Sequence, residues 1–180
     1  MKDYVFPKNN ENEFIIKARI LNIRELCFVY PFPGIKNAPE IKGVHITTAT
    51  IATPDQLKSG NSDTKHCIVH SDARNDRWLI EKIKPMLMFG FEFQQHNDFM
   101  HHRNSAINQI TAKLMAKNNI VYGFPVAALI HASPQMQGII LGRFRQNIHL
   151  CKKYGVTVIL ASFATDPWDM RNLKDVRCLV

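Results

Sequence analysis

The eight histidines have the clearest capacity for chemistry in this chain, because neutral imidazole ligates transition metals and titrates near neutral pH. They are His45, His66, His70, His96, His101, His102, His131 and His149. A metal centre needs several of them to converge on one point, usually with carboxylates. His66 and His70 sit four apart in the strand-like run HCIVH. Both then face the same way but lie about 13 Å apart, too far to share an ion. His101 and His102 are adjacent, and adjacent side chains diverge in regular structure. Asp72, Glu92 and Asp166 are the carboxylates nearest to expected strand ends, yet no His-x-His pair accompanies them. The pattern assigns no metal ligands.

Nucleophiles give no better constellation. Ser162 follows a strand-like run, but no GxSxG elbow surrounds it. Cys27, Cys67 and Cys151 fall on apolar faces, where buried structural thiols are the common case. With Cys178 they lie far apart and form no CxxC pair, a distribution that suits reduced intracellular thiols. Asp166 and Asp169 are spaced for a paired acid and base, but a cluster capping a helix N-terminus is the favoured reading. No catalytic residue is assigned.

The strongest signal is electrostatic. The chain carries 23 Lys and Arg against 15 Asp and Glu, a net charge of +8. From Phe99 to Thr165, over a third of the chain, there is no Asp or Glu. The same segment holds Arg103, Lys113, Lys117, Arg143, Arg145, Lys152 and Lys153. Scattered lysines serve solubility, but excluding every carboxylate from so long a stretch points to a surface that must not repel a polyanion. Nucleic acid is the commonest such partner.

The elements that must position these cations read as alternating strands and helices. Strand-like runs are Tyr4–Phe6, Leu26–Tyr30, Gly43–Ile51, His66–His70, Met86–Phe89, Ile120–Phe124 and Val156–Ala161. Helices are expected near Phe14–Arg24, from Thr53-Pro54, over Ala73–Lys84 after a Ser71-Asp72 cap, over Ser105–Asn118, and from Ser133-Pro134 to Gly155. A last helix, Asn172–Val180, is expected to be barely formed. About seven βα units imply a parallel sheet with helices outside it. Neither GxGxxG nor a P-loop follows any strand. The chain is short for a full eight-unit barrel. The expected fold is therefore a single α/β domain over 1–180, TIM-barrel-like, short or incompletely closed.

On the longest helix, Ile140, Phe144, Ile148 and Cys151 form an apolar stripe. Arg145, His149, Lys152 and Lys153 share a face within about 100° of arc, with Arg143 on another flank. No glutamate at i,i+4 offsets these charges. Lys113 and Lys117 are likewise four apart on the preceding helix. Arg103 and Asn104 at the expected start of that helix, and Arg74 and Arg77 at the start of 73–84, are placed to bind phosphate with backbone N–H groups.

No apolar run approaches the ~20 residues of a membrane helix, and the first residues carry no apolar signal core, so a cytoplasmic location is expected.

These residues also carry a resemblance. The stretch Arg74 to Val176, with ARNDRWLIEKIKP, HHRNSAINQITAKLMAKNNIVYGF and LGRFRQNIHLCKKYGVTVILASFATDPWDMRNLKDV in that order, resembles the ribonuclease P protein component 3 family, the archaeal form of the thirty-kilodalton subunit. The final segment supplies Ser162, Ala164, Arg171 and Asp175. The resemblance implies a TIM-barrel-like fold without the metal ligands of related hydrolases, and a non-catalytic subunit. The RNA of the holoenzyme would remove 5′ leaders from precursor tRNA, using Mg²⁺ that the protein itself does not bind. Implied partners are the ribonuclease P RNA and protein component 2, in a heterotetramer, with precursor tRNA met indirectly. Arg74, Arg77, Arg103, Lys153 and Arg171 are then expected to face or brace RNA, with Asp175 orienting Arg171 through an ion pair. The chain departs from the family at Leu173, Asn118 and Pro85, where Pro, a basic residue and Asp are frequent. It also stops at Val180, before the helices that usually close the family's barrel. The alternative function is a metal-dependent hydrolase or phosphoesterase of the same barrel class.

Overall fold

A computed structural model describes residues 2–34, 43–59, 66–94, 97–98, 100–101 and 103–179. His96, His102 and Phe99 lie outside the described residues. The chain groups into two compact units that interleave along the sequence. The first is Met1–Ile51, Pro125–His131 and Leu160–Val180; the second is Ala52–Phe124 and Ala132–Ile159.

In the first unit, β1 (Lys2–Val5), β2 (Glu25–Pro31) and β3 (His45–Ile51) pair in parallel, with Val5 opposite Phe28 and Phe28 opposite Thr48. Between β1 and β2 runs α1 (Glu11–Ile20), which buries Phe14, Ile15 and Ala18. Glu11 and Glu13 in its first turn and Lys17 and Arg19 in its last complement the helix dipole. It ends where Asn22 turns left-handed (φ 55°) and the Ile23 N–H reaches back 2.8 Å to the Ala18 carbonyl. The core joins Val5, Phe14, Leu26, Phe28 and Ala164. Val5 is bridged in parallel to Ala164, and the Phe6 N–H donates to the Ala164 carbonyl at 2.8 Å. Beside that bridge the buried Asp3 carboxylate accepts the Ser162 N–H at 2.6 Å and its hydroxyl at 2.7 Å.

In the second unit, α2 (Pro54–Lys58) starts at a reciprocal cap between Thr53 and Gln56. Three strands, β4 (Cys67–His70), β5 (Leu87–Phe89) and β6 (Val121–Pro125), pair in parallel, with Leu87 opposite both Ile68 and Val121. The Tyr122 N–H donates to the Thr157 carbonyl, just ahead of β7 (Val158–Ala161). Between β4 and β5, α3 (Asp76–Trp78) continues into a π-helical turn, Leu79–Ile83. Then come α4 (Gln109–Lys117) and, after α5 (Val126–His131), the long α6 (Pro134–Tyr154). Ser133 caps α6 through its side chain, Pro134 occupies the first turn, and Gly155 stops the helix at φ 78°. The expected stripe Ile140, Phe144, Ile148 and Cys151 is buried, with Phe144 stacked 3.8 Å from Phe124. Cys27 and Cys67 are buried as well, whereas Cys178 is exposed.

The strand order is β1-β2-β3-β4-β5-β6-β7, sequential throughout, with β1 bridged to the segment that follows β7. This is the connectivity of a short TIM-barrel-like α/β fold.

Two helices start later than expected. The 73–84 helix begins at Asp76, because Asp76 reaches back to accept the Ser71 hydroxyl and the Asp72 N–H at 2.7 and 2.8 Å. The residues between them are held in a turn. It stops at Lys84, in a left-handed conformation, since Pro85 disfavours a helical residue before it. The 105–118 helix begins at Gln109, because Asn108 caps the N–H groups of Ile110 and Thr111, both at 2.9 Å. Ser105 instead accepts from Gln146. The last helix is one turn, α7 (Leu173–Val176), followed by a 3-10 turn, Arg177–Leu179.

Candidate nucleic-acid interface

The cations of the carboxylate-free segment fall into two electrostatically different regions of the second unit. The first is a ridge made by α4 and the C-terminal half of α6. Tyr154, the last residue of α6, turns its hydroxyl toward the Gln109 side chain at the start of α4, at 3.4 Å. Lys113 of α4 and Lys153 of α6 both approach its ring, at 5.4 and 5.6 Å from the centroid. Lys117 lies one turn further along α4. On α6, Arg145, His149 and Lys152 share the exposed side with Lys153. Among the described residues no carboxylate pairs with Lys113, Lys117, Arg145, Lys152 or Lys153. Like charge held this close is repulsive unless an anion is present.

The second region is a corner where the same segment's remaining cations are neutralised. Arg143 is wholly buried and donates from Nε to Asp98 at 2.8 Å and from Nη1 to the Glu92 carbonyl at 2.8 Å. Arg103 donates to the other Asp98 oxygen at 2.7 Å. Partial burial opposes, but hydrogen bonds from Arg103 and Arg143 hold the Asp98 carboxyl down to about 2. Gly142 allows the approach, since a Cβ there would stand 2.9 Å from Arg103 Nε. Beneath lies Glu92, buried in the 3-10 turn Phe91–Phe93 that follows β5 and held by Tyr122 and Asn147. Burial, against those bonds and the Arg143 charge, pushes the Glu92 carboxyl up to about 7.

Several expected site residues are therefore placed differently. Arg143 is not a flanking surface cation but an interior one, held by Asp98 and the Glu92 carbonyl and withdrawn from solvent. Arg103 and Asn104 do not open a helix. Their N–H groups are taken by Gln146 and Asp98, so no backbone phosphate cradle exists there. Arg74 is exposed in the turn before α3, and Arg77 pairs with Glu81 at 3.0 Å. In the first unit, Arg171 precedes α7 and donates to the carbonyls of Trp168 and Met170 at 2.6 and 3.0 Å. Arg171 and Asp175 thus do not share a helix face, and the expected ion pair is absent among the described residues. Of the two candidate acids, Asp166 caps the 3-10 turn Pro167–Asp169 through the Trp168 N–H, as expected. Asp169 pairs with His131 at 2.8 Å. Among the described residues no three His, Cys, Asp or Glu side chains group so as to hold a metal ion, and no helix is long and apolar enough to cross a membrane.

The charge profile missed Asp98 because it stands just ahead of the carboxylate-free run yet folds against it. Its signal was the density of unsatisfied donors around it, Arg103, Asn104 and Arg143, which only the fold brings together.

Comparison with known proteins follows the resemblance read from the sequence. No family model matches the chain. It is 29% identical over 86 residues to ribonuclease P protein component 3 of Methanosarcina acetivorans, a match covering 46% of this chain and 36% of that protein. With the protein of the same name from Methanothermobacter thermautotrophicus it shares 30% identity over 74 residues, 41% of this chain and 30% of that one. The matches thus span about a third of these curated relatives. A chain in the cryo-EM structure of archaeal ribonuclease P with mature tRNA superposes with a TM-score of 0.75 at 14% identity, covering 99% of this chain and 80% of that one. In fold, then, this protein is similar along nearly its whole length to a chain of archaeal ribonuclease P, and in sequence a part of it is similar to the curated component 3 proteins.

Proposed function

We propose that this protein is a subunit of an archaeal ribonuclease P, a ribonucleoprotein that processes tRNA, and that the α4/α6 ridge is its RNA-facing surface. The observation that carries this reading is the ridge itself: five lysines and arginines with no carboxylate partner among the described residues, on a chain with the fold of a ribonuclease P chain. Such a surface neutralises phosphates of a folded RNA and releases their counterions. Double-helical RNA is recognised mainly by shape and by phosphate and 2′-hydroxyl contacts, so no base pocket is required. Within the same proposal the protein is non-catalytic and binds no cofactor. Its RNA uses Mg²⁺ to cleave 5′ leaders from precursor tRNA. Protein component 2 is its partner in a heterotetramer, and the cytoplasm is its location. Arg74 and Arg171 are secondary candidates for RNA contact, as is Arg103 through the half of its side chain that stays exposed beside Asp98.

The test is co-purification of the tagged full chain from its native cells. A large RNA and a small second protein are expected to come with it, and the RNA should be lost at high salt. Purification free of RNA, or tightly held zinc or manganese with phosphodiesterase activity in its absence, would overturn the proposal in favour of the hydrolase reading.

A further inference from the structure

Four cations lying outside the carboxylate-free segment come together in the first unit. Arg19 belongs to the last turn of α1, Arg24 stands just before β2, and Lys174 and Arg177 lie on α7 and the 3-10 turn after it. With Asn22, Asn172 and Glu25 they line a cleft of about 740 Å³. All four cations are exposed, and among the described residues Glu25 is the one carboxylate in the lining. The walls are set by backbone. Asn22 occupies the left-handed turn that ends α1, and Asn172 caps α7 by accepting the Lys174 N–H at 2.9 Å. Among the described residues no aromatic ring lines the cleft, so they offer no platform for stacking a base. It also lacks the apolar enclosure that fixes a small metabolite. What remains is a wide, positive trough whose exposed cations can meet successive phosphates as point charges.

We infer that this cleft is a second RNA-binding site, taking consecutive phosphates of a folded RNA strand without reading its bases. The inference rests on the RNA reading of the ridge but uses separate residues on a separate unit. It assigns RNA contact to Arg19, Arg24, Lys174 and Arg177.

The experiment measures binding of a fluorescent RNA hairpin, with a stem longer than one helical turn, to the full chain across a salt series. Three proteins are compared: wild type, a cleft variant (Arg24→Gln, Lys174→Gln, Arg177→Gln), and a ridge variant (Lys113→Gln, Lys117→Gln, Lys153→Gln). The cleft variant should lower the slope of log affinity against log salt by about two to three, since each lost phosphate contact removes roughly 0.7 to 0.9. Its affinity at physiological salt should fall roughly ten- to a hundredfold. Arg24→Lys with Arg177→Lys should keep the wild-type slope, because a point charge suffices where no base is read. The substituted side chains are exposed, so the thermal midpoint serves as the check on folding. A cleft variant with unchanged slope and affinity, beside a ridge variant that loses both, would overturn this inference and leave the RNA reading standing. An equal loss in the lysine variant would overturn it as well, since charge would not be the cause. Wild-type protein that fails to bind the hairpin overturns both.

Discussion

The ridge of α4 and α6 and the corner around Asp98 draw their cations from one stretch of sequence and end in opposite states. On the ridge, Lys113 and Lys153 crowd one tyrosine ring, and among the described residues no acid offsets them. In the corner, one carboxylate serves two guanidinium groups, and Arg143 is completely withdrawn from water. Formal charge along the chain is thus a poor guide to charge offered at the surface. The ridge is organised for a partner, and the corner for folding.

The largest effect should come from breaking the corner. Asp98→Asn leaves Arg143 buried without its counter-charge, which costs about 3–5 kcal/mol. Denaturant unfolding would read this as a fall in midpoint, and an unchanged midpoint would show that the pair contributes nothing to the fold.

Next is the pH dependence of Glu92, whose carboxyl rises from 4.5 to about 7 on folding. The folded state then holds a proton that the unfolded state has released. Stability is full below about pH 4.5 and is lost as pH rises from there through about 7. The loss is on the order of 3 kcal/mol. Glu92→Gln should flatten this slope in unfolding measurements at pH 5 and pH 8 and leave the variant more stable than wild type at the higher pH.

The ridge variant Lys113→Gln, Lys117→Gln, Lys153→Gln should weaken RNA binding roughly tenfold or more while moving stability by no more than about 0.5 kcal/mol. Titration and thermal melting on one preparation would separate the two regions cleanly, since the corner variant is expected to do the reverse. Smallest is the exposed pair of Arg77 with Glu81. Glu81→Gln should change stability by less than about 0.5 kcal/mol, visible only as a slight shift in melting.

Much of the fold was legible because its signals are local. Ser133-Pro134 and Gly155 bound α6 within one residue of the expectation, and the four-four-three spacing of Ile140, Phe144, Ile148 and Cys151 identified its buried face. Competing caps were harder. Ser71-Asp72 and Ser105 are good capping residues, but Asp76 and Asn108 hold the hydrogen bonds that set the helix starts. α5 was not anticipated, since VAALIH follows a strand without a cap or break. For the site, sequence identified which face of α6 carries exposed charge. It could not identify the inward turn of Arg143, the capture of Arg103, or the gathering of Arg19, Arg24, Lys174 and Arg177. Arg143 and the cleft depend on contacts between residues tens of positions apart or more, and Arg103 meets Asp98 across an irregular loop, where periodicity holds no information in either case.

The bond from Asp3 to Ser162 joins residues 159 positions apart, and it lies inside one compact unit. During synthesis the first strand leaves the ribosome long before its partner exists. The first unit must wait, its opening segment unsatisfied, while the whole of the second is translated and free to fold. Closing so long a loop is slow. Assembly of this molecule therefore has a built-in order, in which the unit that holds the earlier-made of these two partners is completed only after the other unit has been translated.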